Sequence, residues 1–556
     1  MLRRLIQTGG PVLILIFFTL WGEYLWFGDI VLHPNRYVFV FNADGKQICF
    51  NFMYHLKYGH GFTLSNQNYP FYEFICMTDA QAAVSVICHF IQEHIMNIEP
   101  WAMGIFNGFI LYTLPFCSLF LYGIFRELAM GRLFSVVFAL LICFLSPQML
   151  RLTNGHYGLA YLFVIPAIYF FLLKMVRSGH AGFYFLMVIG TGMCIGINNG
   201  HLALAAGIQI LSFALVYLFL FRTDSGYKKW LPLLSFIVLM SFFFFFIHSM
   251  DSASDRELHP WGFFTFYSQL SSYFLPTYGF FYNKLHSFFP ASAFEIEGEG
   301  TAYLGTLALL LPVFILLRIA FRTIRYHSLR WPYRNNMVLV FLISLLPVML
   351  YSMALPFRWG LESWVYRIPF LGQFRVPGRF SWIVYYAFGI VLGYTLYILI
   401  RWLRRKHRVF PFLLWIPILL FYGTDIVSAS RFVMRFSSGE NHFPSNPFLE
   451  KQEWKKDLQQ HAIDTQHVQC ILGLPVFNAW SSKFGIDTDP DSLVTRMVMI
   501  STETGLPWMN AKLSRIAVSP LMQSTQMGSH PVIVKEILQH LPSRKKIVLI
   551  HLNSYS

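Results

Sequence analysis

Two carboxylates in one polar stretch are the first residues here that could do chemistry. Asp44 and Asp79 lie in NADGKQICFNFMYHLKYGHGFTLSNQNYPFYEFICMTDAQ, residues 42–81, among His, Asn and aromatic side chains. Two acids on one loop could act as a general base and its orienting partner, or share a divalent metal. The plainer alternative is helix capping, with Asp79 at the head of a helix running into Ala80-Gln81-Ala82. Arginines supply the complementary charge. Arg367, Arg375 and Arg379 stand in YRIPFLGQFRVPGRFSW, where Pro369, Gly372, Pro377 and Gly378 make a stiff turn. A guanidinium is a natural bidentate partner of phosphate. Headgroup binding or a salt bridge to Glu362 would use the same side chains. The third feature is a repeat. Asn154-Gly155-His156 precedes Leu159-Ala160, and Asn199-Gly200-His201 precedes Leu204-Ala205, so both copies read NGHxxLA. Asn and Gly make a shared turn into a following helix. That leaves two histidines unexplained, and they could hold a phosphate or hydroxyl groups.

These residues need a scaffold, and the composition says which kind. Of 556 residues, 56% are hydrophobic and 12% charged, against about 25% charged in an average soluble protein. Apolar runs recur near 11–32, 101–125, 133–150, 158–176, 182–198, 202–221, 230–247, 303–323, 336–354, 380–400 and 410–428. Each is long enough to cross a bilayer as a helix, which predicts about eleven spans. The net charge of +15 could suggest nucleic acid, but the bases sit mostly in short loops between the runs, the positive-inside pattern, so no nucleic-acid partner is expected. With the N-terminus inside, the inner loops carry Arg126 and Arg132, Lys174 and Arg177, Arg222, Lys228 and Lys229, Arg318, Arg322, Arg325, Arg330 and Arg334, and Arg401, Arg404, Arg405, Lys406 and Arg408. The outer loops carry Asp44, Glu73, Asp79, Glu93, Glu99, Asp251, Asp255, Glu257, Glu295, Glu297, Glu299 and Glu362. This alternation puts the C-terminus outside. The first run follows Arg3-Arg4 but has no small-residue cleavage site, so it reads as an uncleaved first span. Glu23 lies within it, either as a functional acid or as one hydrogen-bonded inside the bundle.

The outer side then comprises loops 33–100, 248–302 and 355–380 and a tail, 429–556, outside a transmembrane domain spanning 1–428. In the tail, Asn446–His461 reads as an amphipathic helix, and Val468–Leu474 and Lys546–His551 as short buried strands. His248, Asp251, Asp255, Glu257 and His259 crowd the far end of the seventh span without a recognised metal spacing, and read as a hydrated loop. None of the seven cysteines forms a C-x-x-C pair. Cys117, Cys143 and Cys194 fall in apolar runs, where they read as packing residues. Cys49, Cys76 and Cys88 fall in the first loop, where an oxidising compartment would permit a disulfide.

The N-in first span, the long outer loop with an acid soon after it (Asn42-Ala43-Asp44-Gly45), the number of spans and the outer C-terminal domain resemble the GT-C class of membrane glycosyltransferases, which use polyprenyl-phosphate-linked sugars. The stretches NADGKQICFNFMYHLKYG, NQNYPFYEFICMTDAQ, RLTNGHYGLAY, GEGTAYLG and LGQFRVPGRFSW also look like a group of bacterial membrane proteins related to that class. The resemblance spans most of residues 1–428 and implies an all-α polytopic membrane protein with a small C-terminal α/β extracytoplasmic domain. It implies a glycosyltransferase in which Asp44 is catalytic and Asp79 a second acid. Arg375, Arg379 and His156 would bind the donor phosphate, and Asn154, Asn199, His201, Glu299 and Tyr303 would make further polar contacts. The donor would be a lipid-linked polyprenyl-phosphate sugar and the acceptor a glycan, lipid or protein. The setting would be a bacterial inner (cytoplasmic) membrane, with the N-terminus cytoplasmic and the C-terminal domain periplasmic. The first loop lacks an adjacent acidic pair or D-x-D, and the tail lacks a WWD-type motif. Metal dependence therefore stays open, and transfer to Asn of a protein is not implied. Two other functions fit many spans with outer arginines. One is a transporter or flippase of a lipid-linked substrate, which would place acids and broken helices near the midplane. The other is a non-catalytic envelope assembly factor that binds a partner through its tail.

Overall fold

The structure is a computed structural model that describes all residues except 1, 224–225, 278, 286, 289–297, 327–335, 407–409, 438–442, 450–453, 480–490, 531 and 552–556. Glu295 and Glu297, expected on the second outer loop, lie outside the described residues, as does part of Asn446–His461. An unpaired backbone amide in lipid costs several kcal/mol, so long apolar runs close their hydrogen bonds internally as helices. Among the described residues nine helical segments are long and apolar enough to cross a membrane, and two shorter apolar helices, Thr306–Leu317 and Asn336–Ser352, stand at the eighth and ninth apolar runs. The chain is an all-α polytopic membrane protein carrying only small sheets.

The helices in chain order are α1 (Leu2–Leu32), α2 (Ala43–Tyr58), α3 (Ala82–His94), α4 (Ala102–Leu111), α5 (Thr113–Glu127), α6 (Arg132–Phe144), α7 (Val164–Arg177), α8 (Ala181–Asn198), α9 (Gly200–Leu220), α10 (Leu231–Met250), α11 (Leu270–Phe274), α12 (Gly279–Leu285), α13 (Leu310–Tyr326), α14 (Asn336–Ser352), α15 (Glu362–Arg367), α16 (Pro369–Gly372), α17 (Ser381–Lys406), α18 (Phe410–Ser437), α19 (Trp454–Gln460), α20 (Asp491–Thr504) and α21 (Val518–Thr525). The segments around α7 and α17 are 78% buried and form the centre of the bundle, whereas that around α10 is 17% buried. Its Phe244 and Phe245 accordingly point outwards. One end of the bundle gathers the basic connections: Lys174 Nζ lies 3.0 Å from Glu127 Oε1, and Lys228 Nζ donates to the Ser178 carbonyl at 3.0 Å. The opposite end of α7, about 21 Å away by helix rise, faces the first polar loop.

The expected runs 133–150 and 158–176 are not continuous helices. α6 stops at Phe144 and α7 starts at Val164, with 3-10 turns at Pro147–Asn154 and Tyr157–Leu159 between them. Polar side chains of this stretch bond backbone carbonyls near and far: Gln148 Nε2 donates to the Leu159 carbonyl within the connection at 2.9 Å, and Arg151 Nη2 to that of Gly298 at 2.6 Å.

The tail forms the expected strands, β3 (Val468–Leu474) and β6 (Lys546–His551), paired in parallel. Short β4 (Asn478–Ala479) and β5 (Ala511–Lys512) are also parallel, and β1 (Thr63–Leu64) pairs antiparallel with β2 (Glu73–Phe74) in the first loop. Loop and tail share one core. Phe50 of α2 stacks on Trp508 at 4.7 Å, and both are fully buried with Val494, Val498 and Ile471. Lys46 Nζ reaches Asp491 Oδ1 at 2.5 Å and Thr495 Oγ1 at 2.6 Å, and Tyr54 donates to the Gly505 carbonyl at 2.7 Å. All seven cysteines are free thiols, so the disulfide allowed among Cys49, Cys76 and Cys88 is not formed; burial pushes the Cys49 thiol up to about 12.

Truncating so large a buried ring costs about 3–5 kcal/mol, and here the cost falls on two segments at once. Trp508→Ala is expected to lower thermal stability in detergent and to release amide-exchange protection in α2 as well as in β3. Unchanged protection of α2 would show that loop and tail are separate units.

Candidate functional site

The polar end of the bundle holds an open cavity of about 270 Å³. Its wall brings together Asp44, Asp79, His156, Asn199, His201, Arg375 and Arg379 from the sequence-predicted set. Four tail residues, Lys512, Leu513, Ser514 and Arg515, complete the lining.

Asp44 stands in the first turn of α2, where the helix dipole favours a negative charge. Its partner is fixed by a backbone contact. Gly155 has φ +72°, and a Cβ there would lie 2.4 Å from Gly45 N and 2.5 Å from Gly45 Cα. A Cβ on Gly45 would in turn lie 2.6 Å from the Val40 carbonyl oxygen. Beside them the Tyr157 hydroxyl accepts from Val40 N at 2.9 Å and donates to Val40 O at 2.5 Å. The NADG and NGHY segments are thus pressed backbone to backbone, and His156 Nε2 lands 2.7 Å from Asp44 Oδ2. Burial acts to push the Asp44 carboxyl up. The His156 hydrogen bond and the charges of His156, Lys512 and Arg379 outweigh it and hold the carboxyl below its ordinary value.

Behind His156 lies a second carboxylate. Glu299 Oε2 accepts from Arg379 Nε and from Arg151 Nη1, both at 2.8 Å, and Oε1 lies 3.9 Å from His156 Nδ1. Burial opposes the ionised form, but Arg379 and Arg151 prevail and hold Glu299 far below the usual carboxylate range. Arg379 therefore pairs with Glu299, not with Glu362. Asp79 has φ +54° and does not cap a helix: the N-cap of α3 is Gln81, and Asp79 accepts a hydrogen bond from Ser514 Oγ. Burial pushes the Asp79 carboxyl up, with the Asp44 charge in the same direction, while Arg379 and Arg375 act against them. The two acids of the first loop thus face one cavity with shifts of opposite sign.

The two NGH copies part company in structure. Gly155 takes the left-handed conformation, whereas Gly200 is the first residue of α9 and Asn199 caps that helix, accepting from His201 N at 3.0 Å and Leu202 N at 3.3 Å. Both histidines line the cavity, and the buried Nδ1 of each has no hydrogen-bond partner among the described residues. Two predicted contacts fall elsewhere. Asn154 is exposed beside Thr153, and Tyr303 is buried, its hydroxyl 3.3 Å from Asp425 Oδ1. The dense cluster after α10 includes a fastening: Arg256 binds Asp251 at 2.6 Å and Glu73 at 2.8 Å, and Asp255 accepts from Ser519 N at 2.6 Å.

Sequence reading missed Arg151, Lys512, Ser514 and Arg515. Arg151 carries the same signal as Arg375, a base at the end of an apolar run where the sequence leads one to expect the outer side, three residues before NGH. The tail residues carry no such signal. They are placed by α2, whose Asn51 Oδ1 accepts from Gln67 Nε2 at 2.9 Å while Gln67 Oε1 accepts from Lys512 N at 2.8 Å. Arg515 is anchored by Gln373 Oε1 at 2.8 Å and the Glu257 carbonyl at 2.9 Å. Burial, with Arg256 and Arg375 nearby, pushes it down to about 10.

A family model described as a domain of unknown function, DUF6311, matches residues 15–422. The chain belongs to this family. The matched segment holds Asp44, Asp79, His156, Glu299, Arg375 and Arg379, and ends before the tail residues of the cavity. Among solved structures, the archaeal oligosaccharyltransferase AglB from Archaeoglobus fulgidus, in complex with an inhibitory peptide and a dolichol-phosphate, is similar over 91% of this chain at 12% identity and a TM-score of 0.41. The chain spans 65% of that enzyme's length. No curated protein matches the chain. Among the described residues no three His, Cys, Asp or Glu side chains gather as metal ligands. Asp44 and Asp79 face Arg375, Arg379 and Lys512 across the cavity, a balance suited to an anion that brings its own negative charge.

Two experiments follow from this geometry. Gly155→Ala meets both a left-handed backbone and the Gly45 backbone, and is expected to cost at least about 2 kcal/mol; Gly200→Ala, with nothing within 4 Å of its Cβ, is expected to leave melting temperature unchanged. Glu299→Gln removes the shared anion of two buried arginines and is expected to cost about 3–5 kcal/mol at pH 7. Because the folded carboxyl is depressed, the gap from wild type stays full above the unfolded value near about pH 4.3 and narrows as pH falls below it. Melting temperatures of both proteins between pH 3 and 7 would show it.

Proposed function

We propose that the chain is an integral-membrane glycosyltransferase of GT-C type that moves a sugar from a polyprenyl-phosphate-linked donor to an acceptor at the outer face of the membrane. The observation that carries this reading is the pairing, in one cavity at the end of the spans, of a hydrogen-bonded carboxylate, Asp44, with the guanidinium groups of Arg375 and Arg379. The sequence resemblance to GT-C enzymes points the same way.

The donor's phosphate binds at Arg375 and Arg379, with Lys512 and His201 beside them, and the sugar lies toward Asp44. An acceptor hydroxyl oxygen attacks the anomeric carbon as the bond from that carbon to the phosphate oxygen breaks. The phosphate leaves with the bonding electrons, and the acceptor proton passes to Asp44. Fixed positive charge at the leaving group stabilises the charge that develops there. A carboxylate held below its ordinary value is a weak base, which suits a displacement in which the acceptor proton becomes acidic only as the new bond forms. His156 keeps Asp44 ionised and oriented, and Glu299 holds Arg379 and Arg151 in register behind it. Asp79, shifted upward, is the second acid and ties the tail to the site through Ser514.

A transporter has one feature in its favour: Glu23 and Asp425 are buried acids within spans. Asp425, however, accepts from Thr306 N at 2.7 Å and Thr306 Oγ1 at 2.9 Å, contacts that tie α18 to the start of the eighth apolar run.

The test is turnover of a panel of polyprenyl-phosphate monosaccharides by membranes holding comparable amounts of folded protein. Asp44→Asn is expected to lower transfer by about 10²–10⁴-fold, and Arg375→Ala to weaken donor use. Full transfer by Asp44→Asn would remove the assignment, and flipping of the donor without consumption would favour transport.

A further inference from the structure

Between Ser352, where α14 ends, and Ser381, where α17 begins, the chain leaves the bundle and returns to the cavity at Gln373-Phe374-Arg375. On the way Trp359, Leu361, Trp364, Tyr366 and Ile368 all face outwards; Trp359 is 74% exposed and Tyr366 57%. These side chains are held in place from beneath. Val365 is buried with Phe263 and Ala354, the Arg358 guanidinium lies 3.6 Å above the Tyr267 ring, and Tyr366 packs against His259 at 5.7 Å. Backbone hydrogen bonds from Leu361 N to Phe357 O at 3.0 Å and from Ile368 N to Trp364 O at 2.9 Å set their spacing. The patch continues the outward-facing apolar surface of α14, where Leu346 and Leu350 are exposed. Exposed Trp and Tyr rings among Arg and Glu side chains are the composition of the boundary between headgroups and acyl chains.

We propose that Phe357–Ile368 is an interfacial platform seated in the outer leaflet, and that it receives the hydrocarbon chain of the lipid whose phosphate reaches Arg375. The seat follows from continuity with the membrane-embedded surface. The guiding role rests on the transferase reading above and on the covalent route: only α16 and Gln373-Phe374 separate Ile368 from Arg375, so a chain lying on the aromatic rings delivers its head to the cavity without crossing the bundle.

Two measurements test this. The first uses wild type in nanodiscs of palmitoyl-oleoyl phosphatidylglycerol doped with a phospholipid bearing a diazirine near the glycerol end of one acyl chain. After irradiation, peptides covering 357–368 are expected to carry label at levels comparable to α14 peptides; label on α14 and α10 with none on 357–368 would overturn the seat. The second compares a long-chain polyprenyl phosphate with a water-soluble two-isoprene phosphate in wild type and in the double variant Trp359→Ser, Trp364→Ser, both positions being exposed and outside the catalytic machinery. The variant is expected to bind the long-chain ligand at least tenfold more weakly and the short-chain one unchanged. Equal affinity for both ligands, or an equal loss for both, would overturn the guiding role. If wild type binds neither phosphate, the transferase reading fails and the guiding role with it, while the photolabelling result still decides the seat.

Discussion

Everything at the polar end of this molecule depends on two glycines that touch. Gly45 and Gly155 leave no room for a side chain between the start of α2 and the turn between α6 and α7. That contact sets the 2.7 Å separation of Asp44 and His156, and the paired hydrogen bonds of Tyr157 with Val40 clamp it. The same turn carries Arg151 to Glu299. One close approach of two backbones therefore aligns the acid, the imidazole behind it and the carboxylate behind both. Glycine has no Cβ to strain in the left-handed region, which is why Gly155 can sit there.

The electrostatics are built in layers outward from that contact. Arginines are costly to bury unless paired, and Glu299 pairs two of them at once. Its negative charge is spent on Arg151 and Arg379, while Arg375 and Lys512 face the cavity together with Asp44 and Asp79. The site is thus a cationic rim around two carboxylates whose environments pull in opposite directions. The rim closes only because the tail shares a core with the first loop: Trp508 stacks on Phe50, and the backbone of Lys512 hangs from Gln67. In this chain the tail is part of the site's wall.

The scaffold was legible in the sequence because lipid imposes a length and a composition on every span; all the expected apolar runs have a helical counterpart. The arginines expected at the outer boundary stood out for a related reason, since positive charge is uncommon enough there to be informative. Other features were not legible. In the break between α6 and α7, Gln148 bonds within the connection itself at Leu159, whereas Arg151 finds its partner at Gly298, 147 residues along the chain. The repeat NGH looked like one device used twice, yet Gly155 and Gly200 adopt different conformations because only the first meets another backbone. Tyr303 was grouped with the site through the stretch that contains Glu299, but the chain turns between them and sends Tyr303 to Asp425. Lys512, Ser514 and Arg515 lie more than 400 residues from Asp79 in a segment of ordinary composition, and no local pattern marks a contact of that range.

The central claim is that the cavity holds a lipid-linked sugar which is consumed through Asp44. The most direct measurement is mass spectrometry of the lipids that copurify with wild type and with Asp44→Asn in nanodiscs, after both are shown to be folded. The account predicts a polyprenyl-phosphate sugar retained by the variant and depleted in the wild type. The absence of such a lipid from both, or equal amounts in both, would contradict it.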